Sequence, residues 1–278
     1  MPRDLRAGRV THWQVTGQGP RAALAIHCSL AHAGSLGALA RALSDLLRLT
    51  AFDLPGHGQS AAWDGQGEIQ AASTAIAADL LDGPADIIGH SFRATVALRL
   101  AVEHPHLVRS LSLYEPVFFA VALADRPDLR AGHEAEVAEF AAGMAAGDMH
   151  AAARGFLSVW GGGEAWETLP APVRSRMAAQ MPLIEAAAPA LYGDAGGMLA
   201  SGALTRIAAP VLLMEGARSP VIIGAINDGL AARLPDCRRV RLDGAGHMGP
   251  VTHPGAVAAE IRGFLSPARA ARRNPEPG

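Results

Sequence analysis

Gly89-His90-Ser91-Phe92-Arg93 lies between the apolar run Ala85-Asp86-Ile87-Ile88 and Ala94-Thr95-Val96-Ala97-Leu98-Arg99-Leu100-Ala101, which reads as a helix. A serine on a sharp turn between a short buried strand and a helix holds its Oγ clear of the backbone. The first helical N–H groups then face any negative charge that develops on a bound oxygen. The pattern is Gly-x-Ser-x-Arg, and in a chain with 31 glycines a Gly-x-Ser alone carries little weight. The surrounding sequence has to supply a base, oxyanion donors and a supporting sheet.

Composition narrows the options. A chain of 278 residues can bury a substantial core and reads as one domain with room for an inserted subdomain. Half of it is hydrophobic and 18% charged, as in a globular enzyme. The net charge of −2 gives no reason to expect nucleic acid or another polyanion as a partner. All 24 basic residues are arginines, so lysine Schiff-base and pyridoxal-phosphate chemistry and the Walker-A phosphate loop are excluded. Cys28 and Cys237 make neither a disulfide framework nor a metal cluster, and no cofactor or metal is expected. The opening Met1-Pro2-Arg3-Asp4-Leu5-Arg6 lacks the apolar core of a signal peptide, and no 18-residue apolar run spans a membrane. A cytoplasmic location without a membrane partner is the expectation. Residues 267–278, with Arg269, Arg272, Arg273, Pro275 and Pro277, are expected to form a frayed, solvated tail.

Along the chain, Val10 to Val15 reads as a strand of an opening hairpin and Ala22 to His27 as a compact apolar strand. Leu36 to Leu47 has helical periodicity, with Leu39, Leu43, Leu46 and Leu47 near one face. Thr50 to Asp53 ends a strand against the turn punctuation of Leu54-Pro55-Gly56-His57-Gly58. A helix over Ile69–Leu81, a strand over Ala85–Ile88, a helix over Phe92–Glu103 and the strand Leu111–Tyr114 follow. Such alternation predicts a mostly parallel sheet covered by helices on both faces. From Val117 to about Thr205 the rhythm breaks into helical segments, roughly Glu134–Ala146, Met149–Trp160 and Val173–Leu191. It resumes with the strand Pro210–Glu215, a helix over Val221–Leu234, the strand Arg239–Leu242 and a helix over Pro254–Leu265. The reading is an α/β core of residues 1–116 and 206–266 interrupted by a helical insertion, 117–205, over the carboxyl ends of the strands, where open α/β sheets bind ligands.

Four segments then stand in a meaningful order: His27-Cys28-Ser29-Leu30, Asp53-Leu54-Pro55-Gly56-His57-Gly58, the serine turn, and Gly244-Ala245-Gly246-His247-Met248 after the last strand. Together they resemble the α/β-hydrolase superfamily, over roughly residues 10 to 265. The resemblance implies that Ser91 is a nucleophile and His247, late in a Gly-rich loop, its base; the family order is serine, acid, histidine. It also implies two oxyanion donors, the N–H of Phe92 and an amide of the loop after the strand ending at His27, most simply Ser29. Many relatives have glycine where Cys28 stands. No feature of the sequence supports Cys28 as the nucleophile instead.

The acid departs from the pattern. The usual carboxylate follows the penultimate strand, where this chain has Glu215-Gly216-Ala217-Arg218-Ser219 and Ser219 replaces the aspartate. Some family members carry the acid one strand earlier, and Glu115 sits there in Leu113-Tyr114-Glu115-Pro116. Glu115 is therefore the expected acid; Asp228 and Asp243 are poorer candidates. Arg93 replaces a glycine that normally lets the helix pack on the neighbouring strand, so its side chain either swings out, as an anion-binding group in the pocket, or fills a gap as a local packing change. His57 and His27 read as scaffold and His90 as shaping the turn, while His32 could reach a substrate.

Phe118, Phe119, Phe140, Phe156, Trp160, Trp166, Met181 and Tyr192 cluster in the insertion, which suggests an apolar cap over the serine, built partly from its own core. The expected function is a cofactor-independent serine hydrolase that cleaves a carboxylic ester or related acyl bond of a small, partly apolar molecule. The same fold hosts thioesterases, amidases, C–C hydrolases, perhydrolases and lyases, so these stay open, as does a non-catalytic binding protein on a hydrolase scaffold. Ser91 argues against haloalkane dehalogenation, where relatives use an aspartate. Oligomeric state is not legible.

Overall fold

The computed structural model describes residues 2–163 and 165–266, and the tail expected at 267–278 lies outside them. Among the described residues the strands are β1 (Arg3–Arg6), β2 (Arg9–Thr16), β3 (Arg21–Ile26), β4 (Leu47–Phe52), β5 (Ala85–His90), β6 (Val108–Tyr114), β7 (Val211–Gly216) and β8 (Cys237–Leu242). They form one eight-stranded sheet in the order β1-β2-β4-β3-β5-β6-β7-β8. The opening hairpin pairs β1 with β2 antiparallel, and β2 joins β4 antiparallel. Every later pairing is parallel, as the strand–helix alternation requires.

Parallel strands covered on both faces are apolar at successive positions. Strand β5 is buried throughout, and its neighbours Ile87 and Ile88 face opposite layers. Leu24, Ile26, Ile87, Leu111 and Leu213 pack against α2 (Ile69–Asp79), α3 (Phe92–Glu103) and α10 (Val221–Ala231). On the other face Ala23, Ala25, Ile88, Leu212 and Met214 meet α1 (Gly37–Ala42) and α12 (Pro254–Leu265). A Cβ on Gly89 would lie 2.7 Å from Ala94 Cα, so glycine there lets α3 seat closely on β5.

The helix expected over Leu36–Leu47 is shorter. A 3₁₀ turn over Ala33–Leu36 precedes α1, which ends at Ala42, and Leu47 already pairs with Arg21 in the sheet. The apolar periodicity continues through a turn because Leu43 and Leu47 are buried from both. Between β6 and β7 the chain leaves the sheet for α4 (Phe119–Asp125), α5 (Arg130–Glu136), α6 (Ala138–Ala146), α7 (Met149–Trp160), α8 (Ala171–Ala179) and α9 (Met181–Gly193), with no strand among the described residues. The segment read as one helix from Val173 to Leu191 divides at Gln180, where Pro182 occupies the first turn of α9. A short helix, α11 (Gly249–Thr252), follows β8. No helix among the described residues is long and apolar enough to cross a membrane.

Candidate active site

Three neighbouring strand ends set out the polar centre. The sheet's hydrogen bonding runs one residue past β5 and β6: Ser91 N–H donates to Tyr114 O at 3.0 Å, and Glu115 N–H donates to Met214 O at 2.9 Å. Both residues then turn sharply. Ser91 has φ 62° and Glu115 φ 47°, a left-handed region that a side chain adopts only where its surroundings over-determine it. Ser91 thereby becomes the cap of α3, with its side chain free of any capping bond.

His247 reaches the same place from the loop after β8. Its carbonyl accepts from His90 Nε2–H at 2.7 Å, and Tyr114 Oη donates to Gly246 O at 2.8 Å. A Cβ on Gly249 would lie 2.0 Å from that Tyr114 hydroxyl, so the loop can pass over the ring only with glycine there. The His247 ring, itself buried, also meets the edge of Trp160 from α7 at a centroid distance of 4.9 Å.

The three side chains form a continuous line. Ser91 Oγ–H donates to His247 Nε2 at 3.0 Å, and His247 Nδ1–H donates to Glu115 Oε2 at 2.7 Å. Glu115 is 0% exposed, and its second oxygen is not left bare: Oε1 accepts from Gly216 N–H at 2.7 Å and from Ser219 Oγ–H at 2.5 Å. Buried charge is tolerated when its lone pairs are all answered in this way. Ser219, the residue that breaks the expected pattern, therefore holds the carboxylate it does not itself supply. Asp228 stands apart on α10 in an ion pair with Arg239.

Behind the serine, the loop after β3 is held from below. His27 Nδ1–H donates to Cys28 O at 2.8 Å. Cys28 is buried and its thiol is pushed up to about 11 by that burial, which keeps it protonated and inert. Arg93 fills the gap under this loop and does not swing out; it is 1% exposed, with Nη1 donating to Ser29 Oγ and Nη2 to His57 Nε2, both at 3.1 Å. Burial drives His57 down to about 3 and His27 and His90 well below the usual histidine range, with the Arg93 charge adding to each. His57 is hydrogen-bonded through both ring nitrogens, and His27 and His90 through one each. His32 instead accepts from Gly34 N–H at 3.2 Å, capping the turn ahead of α1.

Over Ser91 opens a cavity of about 440 Å³. Ser29, Ser91 and Phe92 form its floor, and Val117, Phe119, Phe140, Phe156, Trp160 and Tyr192 are among its walls. Arg93 and His32 do not line it. The aromatic cluster read from the sequence thus divides. Phe118 is fully buried in the main core, while Trp166 and Met181 belong to a separate small cluster with Ala152 and Ala178. Ring-to-ring steps of 4.9 Å from His247 to Trp160, 5.9 Å to Phe119 and 4.5 Å to Tyr192 make one continuous aromatic wall. Three contributors were not legible: Tyr114 and Ser219, which hold His247's loop and Glu115, and Val137, an apolar residue between helices. Gly249 is a sequence trace of the first; Ser219 shows in the sequence only as a missing aspartate, and Val137 leaves no trace.

Comparison with known proteins adds an independent line. Residues 23–260 match the profile described as the Alpha/beta hydrolase family. The chain is 33% identical over 225 residues to a pimeloyl-[acyl-carrier protein] methyl ester esterase of Neisseria meningitidis serogroup A, covering 78% of this chain and 68% of that protein. A protein of the same description from Methylococcus capsulatus is 30% identical over 261 residues, covering 91% of this chain and 97% of its own. Among solved structures, a haloalkane dehalogenase loop variant from Bradyrhizobium elkanii superposes with a TM-score of 0.71 at 19% identity, covering 98% of each chain; that likeness is one of fold.

Proposed function

Because the chain belongs to the alpha/beta hydrolase family, we propose that it is a serine hydrolase cleaving a carboxylic ester whose acyl part is apolar. The observation that carries this reading is the unbroken hydrogen-bonded line from Ser91 through His247 to Glu115 beneath an apolar cavity. The relatives described as methyl ester esterases support an ester with a small alcohol.

In this reading residues 117–205 act as a cap over a core of 1–116 and 206–266. The acyl chain lies along the aromatic wall, its carbonyl carbon above Ser91. Ser91 Oγ attacks as His247 Nε2 takes the hydroxyl proton, and Glu115 stabilises the imidazolium that forms. The charge on the carbonyl oxygen is met by the amides of Phe92 and Ser29, the first aided by the start of α3. The carbon–oxygen bond to the alcohol then breaks, and His247 returns the proton to the leaving oxygen. Water attacks the acyl-enzyme by the same route in reverse, releasing the acid and Ser91.

A series of p-nitrophenyl esters from acetate to laurate tests this. The cavity leads us to expect kcat/KM to rise with chain length to a medium-chain optimum and then fall. No turnover with any ester, by protein that melts cooperatively, contradicts the esterase reading and turns the assignment toward C–C cleavage or lyase chemistry.

A further inference from the structure

Arg93 is a buried cation that the reaction above does not use. Taking a guanidinium out of water costs several kcal/mol unless its surroundings return it, so its partners identify its task. Asp53, the carboxylate that attracts it, is committed elsewhere: Oδ2 accepts from His12 Nδ1 at 2.7 Å and Gln59 N at 2.9 Å, and Oδ1 accepts from Ala33 N at 2.6 Å. Arg93 gives its two terminal nitrogens to neutral acceptors, Ser29 Oγ and His57 Nε2. His57 can accept only as its Nδ1–H tautomer, which the 3.0 Å bond to Pro55 O fixes. The guanidinium is therefore locked on one side and aimed at Ser29 on the other.

The consequence falls on the Ser29 hydroxyl. One lone pair of Oγ faces a cation, so its own proton points away from the guanidinium, and no acceptor among the described residues takes it. Ser29 also lines the cavity beside Ser91 and Phe92. The next residue, Leu30, has φ 61°, so the loop holds an unfavourable backbone that needs outside support. A hydroxyl that accepts from a cation is a stronger donor in turn.

We propose that Arg93, steadied by His57, is a positioning residue that turns the Ser29 hydroxyl toward the reacting carbonyl oxygen, so that Ser29 adds a side-chain donor to the two backbone donors of the oxyanion site. This rests on Ser91 being the nucleophile. Arginine at this position then serves the oxyanion loop, while Gly89 keeps α3 seated closely on β5.

The test is a double-mutant cycle of Ser29→Ala, Arg93→Met and the pair, with Arg93→Lys beside them. Each is measured for kcat and KM on the best p-nitrophenyl ester and for inhibition by an alkyl trifluoromethyl ketone, which forms a tetrahedral adduct with the serine. Ser29→Ala and Arg93→Met should each lower kcat about tenfold, less than the loss of a main oxyanion donor, with KM within about twofold. Ketone affinity should weaken in step with kcat. The pair should be little worse than Ser29→Ala alone, because both changes remove the same donor. Arg93→Lys, which keeps the charge without the fork, should recover part of the loss. Full additivity, or a Ser29→Ala enzyme with unchanged kcat and ketone affinity, overturns the proposal. If Arg93→Met does not fold, Arg93→Lys takes its place in the cycle with Ser29→Ala, and full additivity of that pair overturns the proposal equally. A wild-type enzyme inactive on every ester instead refutes the esterase reading on which this proposal rests.

Discussion

The strand ends and the helices of residues 117–205 face the same cavity and are held by different forces. At the strand ends, Ser91, His247 and Glu115 are fixed by reciprocal hydrogen bonds and two strained turns, and nearly every polar atom has a partner. In the helical segment the cavity wall is Phe119, Phe140, Phe156, Trp160 and Tyr192, held mainly by ring contacts, with the Tyr192–His133 bond at 2.8 Å as its polar tie. The first region fixes a single geometry, and the second tolerates repacking. Chemistry should therefore fail sharply when the strand ends change, and selectivity should drift when the helices do.

The largest effects should come from the hydrogen-bonded line. Ser91→Ala should lower kcat at least about 10⁴-fold on the best ester, with the protein still folded. Glu115→Gln, which keeps the shape and removes the charge, should lower kcat by about 10³–10⁴ at neutral pH. Wild-type turnover across the pH range in that variant would take Glu115 out of the reaction. Ser219→Ala should cost less, about five- to twentyfold in kcat, because Glu115 keeps its Gly216 bond and loses one of two donors to Oε1.

The helical wall should respond differently. Phe140→Ala removes a cavity-lining ring in T-shaped contact with Phe156 at 6.0 Å. We expect kcat on short esters to change less than about twofold and the preferred acyl chain to lengthen by roughly two to four carbons. A loss spread evenly over all chain lengths would show that the two regions are not separable.

The buried histidines near the strand ends make the protein's stability depend on pH. The folded-state pKa values of His27, His57 and His90 lie below the ordinary histidine value, His57 at about 3. Below about pH 6.5 the unfolded chain takes up protons at these positions and the folded chain does not, so unfolding is favoured as pH falls from about 6.5 toward 3. The melting temperature should fall by about 10 °C or more between pH 7 and pH 4.5, and His57→Gln should flatten that slope. An unchanged melting temperature across this range would contradict neutral burial of these rings.

The same contrast explains what could be read from the chain. Gly89, Ser91, His247 and the apolar runs of β3, β5 and β7 carry local signals, because backbone strain and two-sided burial restrict residue type at each position. Glu115 was legible only through strand order and the missing aspartate at 219. The fork of Arg93 onto Ser29 and His57 was not, since contacts between residues 64 and 36 apart leave no periodic trace. The division of the aromatics between cavity wall and core was equally hidden, because a phenylalanine in a helix has the same local preferences in either place. The overlong first helix has the same cause: Leu43 and Leu47 are buried whether the backbone is a helix or a turn leading into a strand.

Everything proposed for the site depends on Ser91 being a nucleophile activated through His247. Intact-mass analysis after a fluorophosphonate probe, with peptide mapping, tests it most directly on wild type, Ser91→Ala and His247→Ala. One adduct per chain on Ser91 is expected in wild type, none in Ser91→Ala, and labelling slowed at least about 10³-fold in His247→Ala. A wild-type chain that stays unlabelled beside a labelled serine-hydrolase control, or an adduct that persists in Ser91→Ala, would contradict it.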